Sequence, residues 1–221
     1  MKISKEFKSI EAGFSIPELI ITMAFLGILL MLTLLNPFFV RKYSSDKQAL
    51  VISDILQEAR QRALTQRETI RIEFNETNRS VSLIEENKPD TADDDKIIKT
   101  LLLSKEVIVG KHPENVTVTN VPKSTSAIPE ISFSPSKYPT SLNNQTFTLR
   151  FTKTGEVLDK GKDSIGSGAL MTGATIYVYE LTDENTKPTI IRALTVNGVS
   201  ALVTILKCRL NEAGLCVEWV N

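Results

Sequence analysis

A long apolar run near the N-terminus constrains this chain more than any other feature. Between Phe14 and Val40 the only ionisable side chain is Glu18, and residues 19–40 contain none. About 20 apolar residues in a helix are enough to cross the hydrocarbon core of a bilayer. The run therefore predicts a membrane-inserted helix over residues 14–40, ahead of whatever fold the rest of the chain adopts.

The flanks of this run exclude an ordinary secretory signal peptide. Such a peptide has a shorter apolar region, of roughly 7 to 15 residues, with a small-residue cleavage site behind it. Here the only small pair at a boundary is Ala12-Gly13, which ends a lysine-bearing leader at residues 1–13 and precedes the run. Cleavage there would leave the apolar helix on the mature protein. Lysines and arginines flank the run on both sides, so the positive-inside rule does not orient it.

Glu18 needs an explanation, because a carboxylate inside hydrocarbon costs about 2.5 to 3.5 kcal/mol. If the chain is cut after Gly13, the new amino group at Phe14 lies one helical turn away and has the right sign to pair with it. The alternative is a carboxylate at the membrane edge that reaches the headgroups.

The sequence GFSIPEL at residues 13–19, followed by the apolar run, resembles the class III signal of type IV prepilins and pseudopilins. The resemblance implies that a prepilin peptidase cleaves between Gly13 and Phe14 and methylates the Phe14 amine. It also implies that Glu18 pairs with the Phe14 amine of a neighbouring subunit during assembly. The leader would then be cytoplasmic, in a single-pass protein of the bacterial inner membrane whose C-terminal domain lies outside the cytoplasm and enters a filament on assembly.

Pro37 interrupts the helical pattern, because an internal proline removes a backbone hydrogen bond and biases the preceding residue away from helical dihedrals. We expect a kink or local break there, and the sequence does not distinguish a mechanical role from a plain kink. A second, amphipathic stretch over residues 41–67 continues the helix, because apolar residues recur at spacings of three and four. This stripe consists of Ala49, Ile52, Leu56, Ala59 and Ala63.

Residues 68–221 alternate in polarity and predict a β-rich globular domain. A hairpin is expected from residues 70–74 and 81–83, and further strands at 97–103, 107–109, 116–118, 131–133, 146–151, 174–181 and 189–196. The predicted fold class is α+β: one long N-terminal helix, transmembrane in its first half and amphipathic in its second, packed on a mostly antiparallel sheet. This pilin-like architecture resembles minor pseudopilins of the GspH/FimT type, with a C-terminal extension from Ser200.

The two cysteines, Cys208 and Cys216, lie close together in that extension. They suit one local disulfide if the domain sits in an oxidising compartment, and a reduced, buried pair is the alternative.

The sequence contains few residues that could form an active site. His112 is the only histidine, and it stands in a polar stretch without the Cys/His spacing of a metal site. We therefore predict a surface-loop histidine, no cofactor, no metal and no catalytic activity.

The resemblance implies a minor pseudopilin or minor pilin that joins or primes a type II secretion pseudopilus or a type IV pilus. Its partners would be the prepilin peptidase, other pilins or pseudopilins, an inner-membrane assembly platform and membrane lipid.

DNA uptake is the alternative function, since some FimT-like proteins bind DNA. Arginines would be expected just after the late-strand glycine, but Val199, Ser200 and Ala201 follow Gly198. Basic and acidic residues are equal in number beyond residue 40, so net attraction to phosphate is missing and nucleic acid is an unlikely partner. A local arginine patch is still conceivable, formed by Arg60, Arg62, Arg67 and Arg71.

Overall fold

The computed structural model describes residues 15–34, 37–86, 95–114, 116, 128–136, 138–159, 168–180, 188, 190–211 and 215–220, with side chains at 33, 34 and 37–43 left out. The chain divides into two compact units, Met1–Val40 and Arg41–Asn221. The processing residues Gly13 and Phe14 lie outside the described residues.

Two helices take the place of the single long one. Helix α1 spans Ile16–Leu34 and helix α2 spans Pro37–Gln66. Pro37 is the first residue of α2, a position where its missing N–H costs no helical hydrogen bond. Leu35 and Asn36 lie outside the described residues, so the predicted kink stays a prediction.

The predicted fold class is wrong in its central element. Among the described residues, no helix is both long enough and apolar enough to cross a membrane. The described chain is instead dominated by two antiparallel sheets. The structure does not have a single long helix on one sheet, because the described helices are α1 and α2 and the strands divide into two sheets.

The first sheet has the strand order β3-β2-β1-β6-β5, and β7 pairs with β6 outside this path. Every pairing in it is antiparallel. Its strands are β1 Thr69–Asn75, β2 Ser80–Glu86, β3 Lys96–Leu102, β5 Ser134–Pro135, β6 Gln145–Phe151 and β7 Val157–Leu158.

The second sheet has the order β11-β10-β9-β8-β4 and is also antiparallel throughout its strand pairs. Its strands are β4 Val107–Gly110, β8 Gly173–Glu180, β9 Ile191–Asn197, β10 Val203–Leu210 and β11 Cys216–Val220. The last two strands form a hairpin from the tail, to which sequence reasoning assigned no strands.

Both sheets pack against one side of α2, within the unit Arg41–Asn221. The predicted stripe is confirmed, since Ala49, Ile52, Leu56, Ala59 and Ala63 are all buried in the main core. Strands of both sheets contribute to the same core. Three of the five stripe residues are alanines, so the helix backbone can approach the strands closely. One helix face therefore organises both layers.

The predicted hairpin over residues 70–83 is confirmed by the pairing of β1 with β2. Strands predicted at 97–103, 107–109, 146–151, 174–181 and 189–196 correspond to β3, β4, β6, β8 and β9. The strand at 131–133 is wrong, because this segment touches β8 through one isolated bridge between Glu130 and Thr175. Pro129 beside that bridge has no N–H to extend a ladder. Residues 117 and 118 lie outside the described residues, which leaves the strand at 116–118 untested.

Candidate assembly helix and polar sites

The described side chains of α1, residues 16–32, are exposed on every face of the helix. Twelve large apolar residues there have between 51 and 77 % of their surface accessible. They are Ile16, Leu19, Ile20, Ile21, Met23, Phe25, Leu26, Ile28, Leu29, Leu30, Met31 and Leu32. A helix that is apolar all round is normally buried in protein or lipid. This apolar surface extends along the described part of α1, and it calls for a covering partner.

Glu18 lies in the first turn of α1, where its negative charge faces the positive end of the helix dipole. The turn is closed by Leu19 N–H, which donates to the Ser15 carbonyl at 3.1 Å. Thr22 Oγ1 donates back to the Glu18 carbonyl at 2.9 Å, so this hydroxyl needs no outside acceptor. Glu18 is thus the one ionisable side chain of α1. It lies at the N-terminal end of the helix, close behind Gly13 and Phe14 in the sequence (the GF pair).

Cys208 and Cys216 form a disulfide, as the sequence suggested. Their Cα atoms lie 5.6 Å apart, and the bridge ties β11 to β10. Both cysteines are buried in a second apolar cluster on the outer face of the second sheet, together with Tyr177 and Trp219. The bridge closes a short loop at the sheet edge, which restrains the edge strand β11.

His112 is more than a loop residue. Its Nδ1 lies 2.7 Å from Glu130 Oε1, and its ring stands edge-on to Tyr177 with the centroids 6.0 Å apart. Burial raises the pKa of Tyr179 to about 12, and the carboxylates of Glu114 and Glu130 add to the rise. No group of three or more His, Cys, Asp or Glu side chains suited to a metal occurs in the described part of the chain. The pair therefore resembles a structural contact, which the sequence did not indicate.

A buried charged network lies on the outer face of the first sheet. Arg71 of β1 and Arg150 of β6 are register partners with 1 % and 2 % of their surface exposed. Both guanidiniums bind Glu86: Arg71 Nη1 donates to Oε1 at 3.2 Å and Arg150 Nη2 donates to Oε2 at 2.7 Å. Arg71 Nη1 also donates to Asp95 Oδ2 at 2.8 Å. Two cations thus face two carboxylates in a water-poor site.

The segment around the short 3-10 helix Pro139–Ser141 covers this network. The Tyr138 ring packs over Arg71, with the guanidinium carbon 3.6 Å from the ring centroid. Ser141 Oγ donates to Glu73 Oε2 at 2.9 Å. Each charged group is covered and has a partner of opposite charge, although Arg71 Nε, Arg71 Nη2 and the Tyr138 hydroxyl have no hydrogen-bond partner among the described residues. Loss of one partner would leave a buried charge unpaired, so the network depends on every member. Sequence reasoning missed it, although Arg71 and Glu73 alternate with core residues in β1.

Glu73 is the third carboxylate of this region and is 4 % exposed. Burial raises the pKa of Glu73, while the hydrogen bond from Ser141 and the charge of Arg71 act in the opposite direction and Asp95 adds to the rise. The folded protein therefore favours the protonated form of this carboxyl group more than the unfolded chain does.

The conceivable arginine patch does not form as one surface. Arg71 belongs to the buried network. Arg62 pairs with Glu58 one turn earlier in α2 at 2.9 Å, and Arg60 Nε donates to the Ser200 carbonyl at 3.1 Å. Arg67 follows the end of α2 with a left-handed backbone, φ 59°. Arg71 is therefore interior, Arg60 and Arg62 make local contacts, and Arg67 is exposed.

No protein-family model matches the chain, and neither a curated protein nor a solved structure is detectably similar to it. The likeness of residues 13–19 to prepilin signals therefore depends on those residues alone.

Replacing Glu86 by glutamine tests the buried network. The amide keeps the shape but removes the charge that two buried guanidiniums share, so the free energy of unfolding should fall by about 3 to 5 kcal/mol. The matched control Glu58→Gln breaks a half-exposed pair and should cost less than about 1 kcal/mol. Urea unfolding of the full chain in mild detergent, followed by Trp219 fluorescence, measures both. Equal losses in the two variants would show that the network contributes no more than a surface pair.

The raised pKa of Glu73 predicts a pH-dependent effect of Glu73→Gln. Below the ordinary value of about 4.5 the carboxyl group is protonated in both states, so its contribution to stability is fully present. As pH rises above 4.5 the unfolded chain ionises first, and the wild type loses stability up to the folded pKa. In urea unfolding, the free energy of unfolding of the variant relative to that of the wild type should therefore increase as the pH rises above 4.5. The exposed Glu76→Gln controls for the loss of one charge, and a pH-independent difference for Glu73→Gln would contradict the prediction.

Proposed function

We propose that the protein is a minor pseudopilin or minor pilin, a structural subunit that assembles into or primes a type II secretion pseudopilus or a type IV pilus. A prepilin peptidase removes residues 1–13, and α1 becomes the assembly element. The observation that carries this proposal is the apolar surface of α1 on all its faces, beginning directly after the GF pair and bearing Glu18 in its first turn.

The energetics of α1 support an assembly role. Burying a Leu, Ile, Phe or Met side chain is worth about 1.5 to 3 kcal/mol. Twelve such side chains are exposed on α1, so the gain on covering them far exceeds what a typical surface patch supplies. Sister subunits and the lipid of the inner membrane, where the protein awaits assembly, are the partners that cover an entire helix circumference.

Glu18 supplies specificity to this association. Its carboxylate is costly in an apolar interface unless a cation neutralises it. The Phe14 amine of a neighbouring subunit is that cation in the proposed assembly, as it is in the family that the GFSIPEL sequence resembles. Contacts of apolar side chains alone would permit many registers, whereas one buried ion pair selects among them.

The disulfide supports an extracytoplasmic position for the unit Arg41–Asn221. Cys208 and Cys216 are bonded, and disulfides persist in oxidising compartments such as the periplasm. The proposed topology has a cytoplasmic N-terminus before processing. The four arginines do not form a joint surface for DNA, because Arg71 is interior, Arg60 and Arg62 are engaged locally, and Arg67 is the one exposed member without such a contact among the described residues.

Gly13→Ala tests the processing step. In a bacterial host with a prepilin peptidase, the wild type should yield a mature N-terminus at an N-methylated Phe14, because the signal that GFSIPEL resembles has Gly directly before the cut. The variant should retain residues 1–13. Intact-protein mass spectrometry of the membrane fraction resolves the two forms. A wild-type chain that keeps its leader would instead identify an ordinary anchored protein outside any filament.

Glu18→Ala tests assembly separately from processing. The variant should be processed normally but be depleted at least tenfold from sheared filaments in a host that expresses the filament machinery, because no carboxylate would meet the neighbouring amine. Thr22→Ala is the matched control, since the Thr22 hydroxyl bonds only within its own helix in the described contacts. Immunoblots of filament and membrane fractions measure incorporation. Normal incorporation of the Glu18 variant would exclude the pairing.

A further inference from the structure

A groove of about 300 Å³ opens between α2 and the second sheet, within the unit Arg41–Asn221. Its lining comes from one face of α2 and from the neighbouring strands β9 and β10. The lining residues are Asp46, Ala49, Leu50, Arg192, Ile205 and Lys207. The proposed function uses none of them.

The rim of this groove has an excess of positive charge. Arg192 Nη2 lies 2.8 Å from Asp46 Oδ1, and their side chains are 15 % and 32 % exposed. Lys207 is the register partner of Arg192 on β10 and is exposed to solvent. Within the described residues, Lys207 makes no salt bridge. Two cations thus face one carboxylate, and the ion pair holds Arg192 in place beside the lysine.

The floor of the groove is apolar. Ala49 is buried, Ile205 is half-buried, and Leu50 keeps 57 % of its surface exposed. A small inorganic anion would neutralise the charge of Lys207 but leave the apolar floor of the groove in contact with water. A neutral apolar ligand would cover the apolar floor but leave Lys207 without a counterion. A ligand with an anionic head and an apolar body matches both features.

We infer that this groove binds an acidic phospholipid, with the phosphate at Lys207 and Arg192 and the start of an acyl chain along Leu50 and Ile205. The sequence around Asp46 supports a lipid source, because the basic residues Arg41, Lys42 and Lys47 follow the apolar run directly. Basic residues close to a membrane surface are attracted to anionic lipid headgroups. The inference rests on the membrane association in the proposed function and adds a lipid class to it.

The test uses the full chain in dodecyl maltoside, titrated with dihexanoyl-phosphatidylglycerol below its micellar concentration and followed by native mass spectrometry. One bound lipid per chain is expected. Dihexanoyl-phosphatidylcholine, which has no net charge, should bind at least fivefold more weakly. Glycerol 3-phosphate, which carries the anion without acyl chains, should not bind detectably. Equal binding of the two lipids, or binding of glycerol 3-phosphate as tight as that of the anionic lipid, overturns the inference.

Two substitutions with opposite expected effects on lipid affinity test whether the lipid binds in the groove. Lys207→Gln should weaken phosphatidylglycerol binding about fivefold, the equivalent of about 1 kcal/mol for one basic side chain near an anionic lipid. Asp46→Asn removes the opposing carboxylate and should tighten it. Lys105→Gln, an exposed lysine between β3 and β4, is the matched control and should leave it unchanged. An equal loss of phosphatidylglycerol affinity in the Lys207 and Lys105 variants would show that the attraction is non-specific, and this result would overturn the assignment of the lipid to the groove.

A second copy of the chain is the competing occupant. Sedimentation of the same samples would then show self-association that Lys207→Gln abolishes, without phosphatidylglycerol binding, and this result overturns the lipid assignment. Failure of lipid binding remains distinguishable from failure of the proposed function, because leader removal and filament incorporation are measured on other residues and in other assays.

Discussion

The apolar stripe of α2 is the contact on which the unit Arg41–Asn221 depends. Ala49, Ile52, Leu56, Ala59 and Ala63 are all buried on the helix face that packs in one core with residues of both sheets. Because both sheets bury residues in this one core, neither layer has a separate apolar interior on this side. Enlarging an alanine of the stripe would push the helix away from two sheets at once, and overpacking of this kind is costly.

The outer faces of the two sheets are stabilised by different chemistry. Behind the first sheet, Arg71, Arg150 and Glu86 form a covered ionic network whose members all have less than a tenth of their surface exposed. Behind the second sheet, Cys208 and Cys216 bond within an apolar cluster. The ionic network requires every partner to be present, because a single buried charge without its counterion is heavily penalised. The disulfide instead restrains a strand at the sheet edge, where ladder hydrogen bonds lie on one side only.

The two units differ in what they leave for other molecules. Helix α1 exposes apolar side chains all round and retains one carboxylate, which suits association with many copies or with lipid. The sheet-containing unit has a buried apolar core shared by both sheets, and two basic side chains and one carboxylate line a groove beside α2. The proposed filament subunit uses α1 for assembly, and the proposed lipid site would tie the other unit to an anionic surface. No family or structural relative supports these roles from outside the chain.

Local patterns in the sequence determined the amphipathic stripe of α2, the β1–β2 hairpin and most strands, because periodicities of 3.6 and 2 depend only on neighbouring residues. The closeness of Cys208 and Cys216 along the chain likewise indicated their bond. Only the tertiary structure decided the partition into two sheets and the pairing of Arg71, Arg150 and Glu86. Arg150 and Glu86 are 64 residues apart along the chain. Charged residues on a strand that alternates in polarity are expected to face water. The packing of Tyr138 and Ser141 over that face of the first sheet buries them instead.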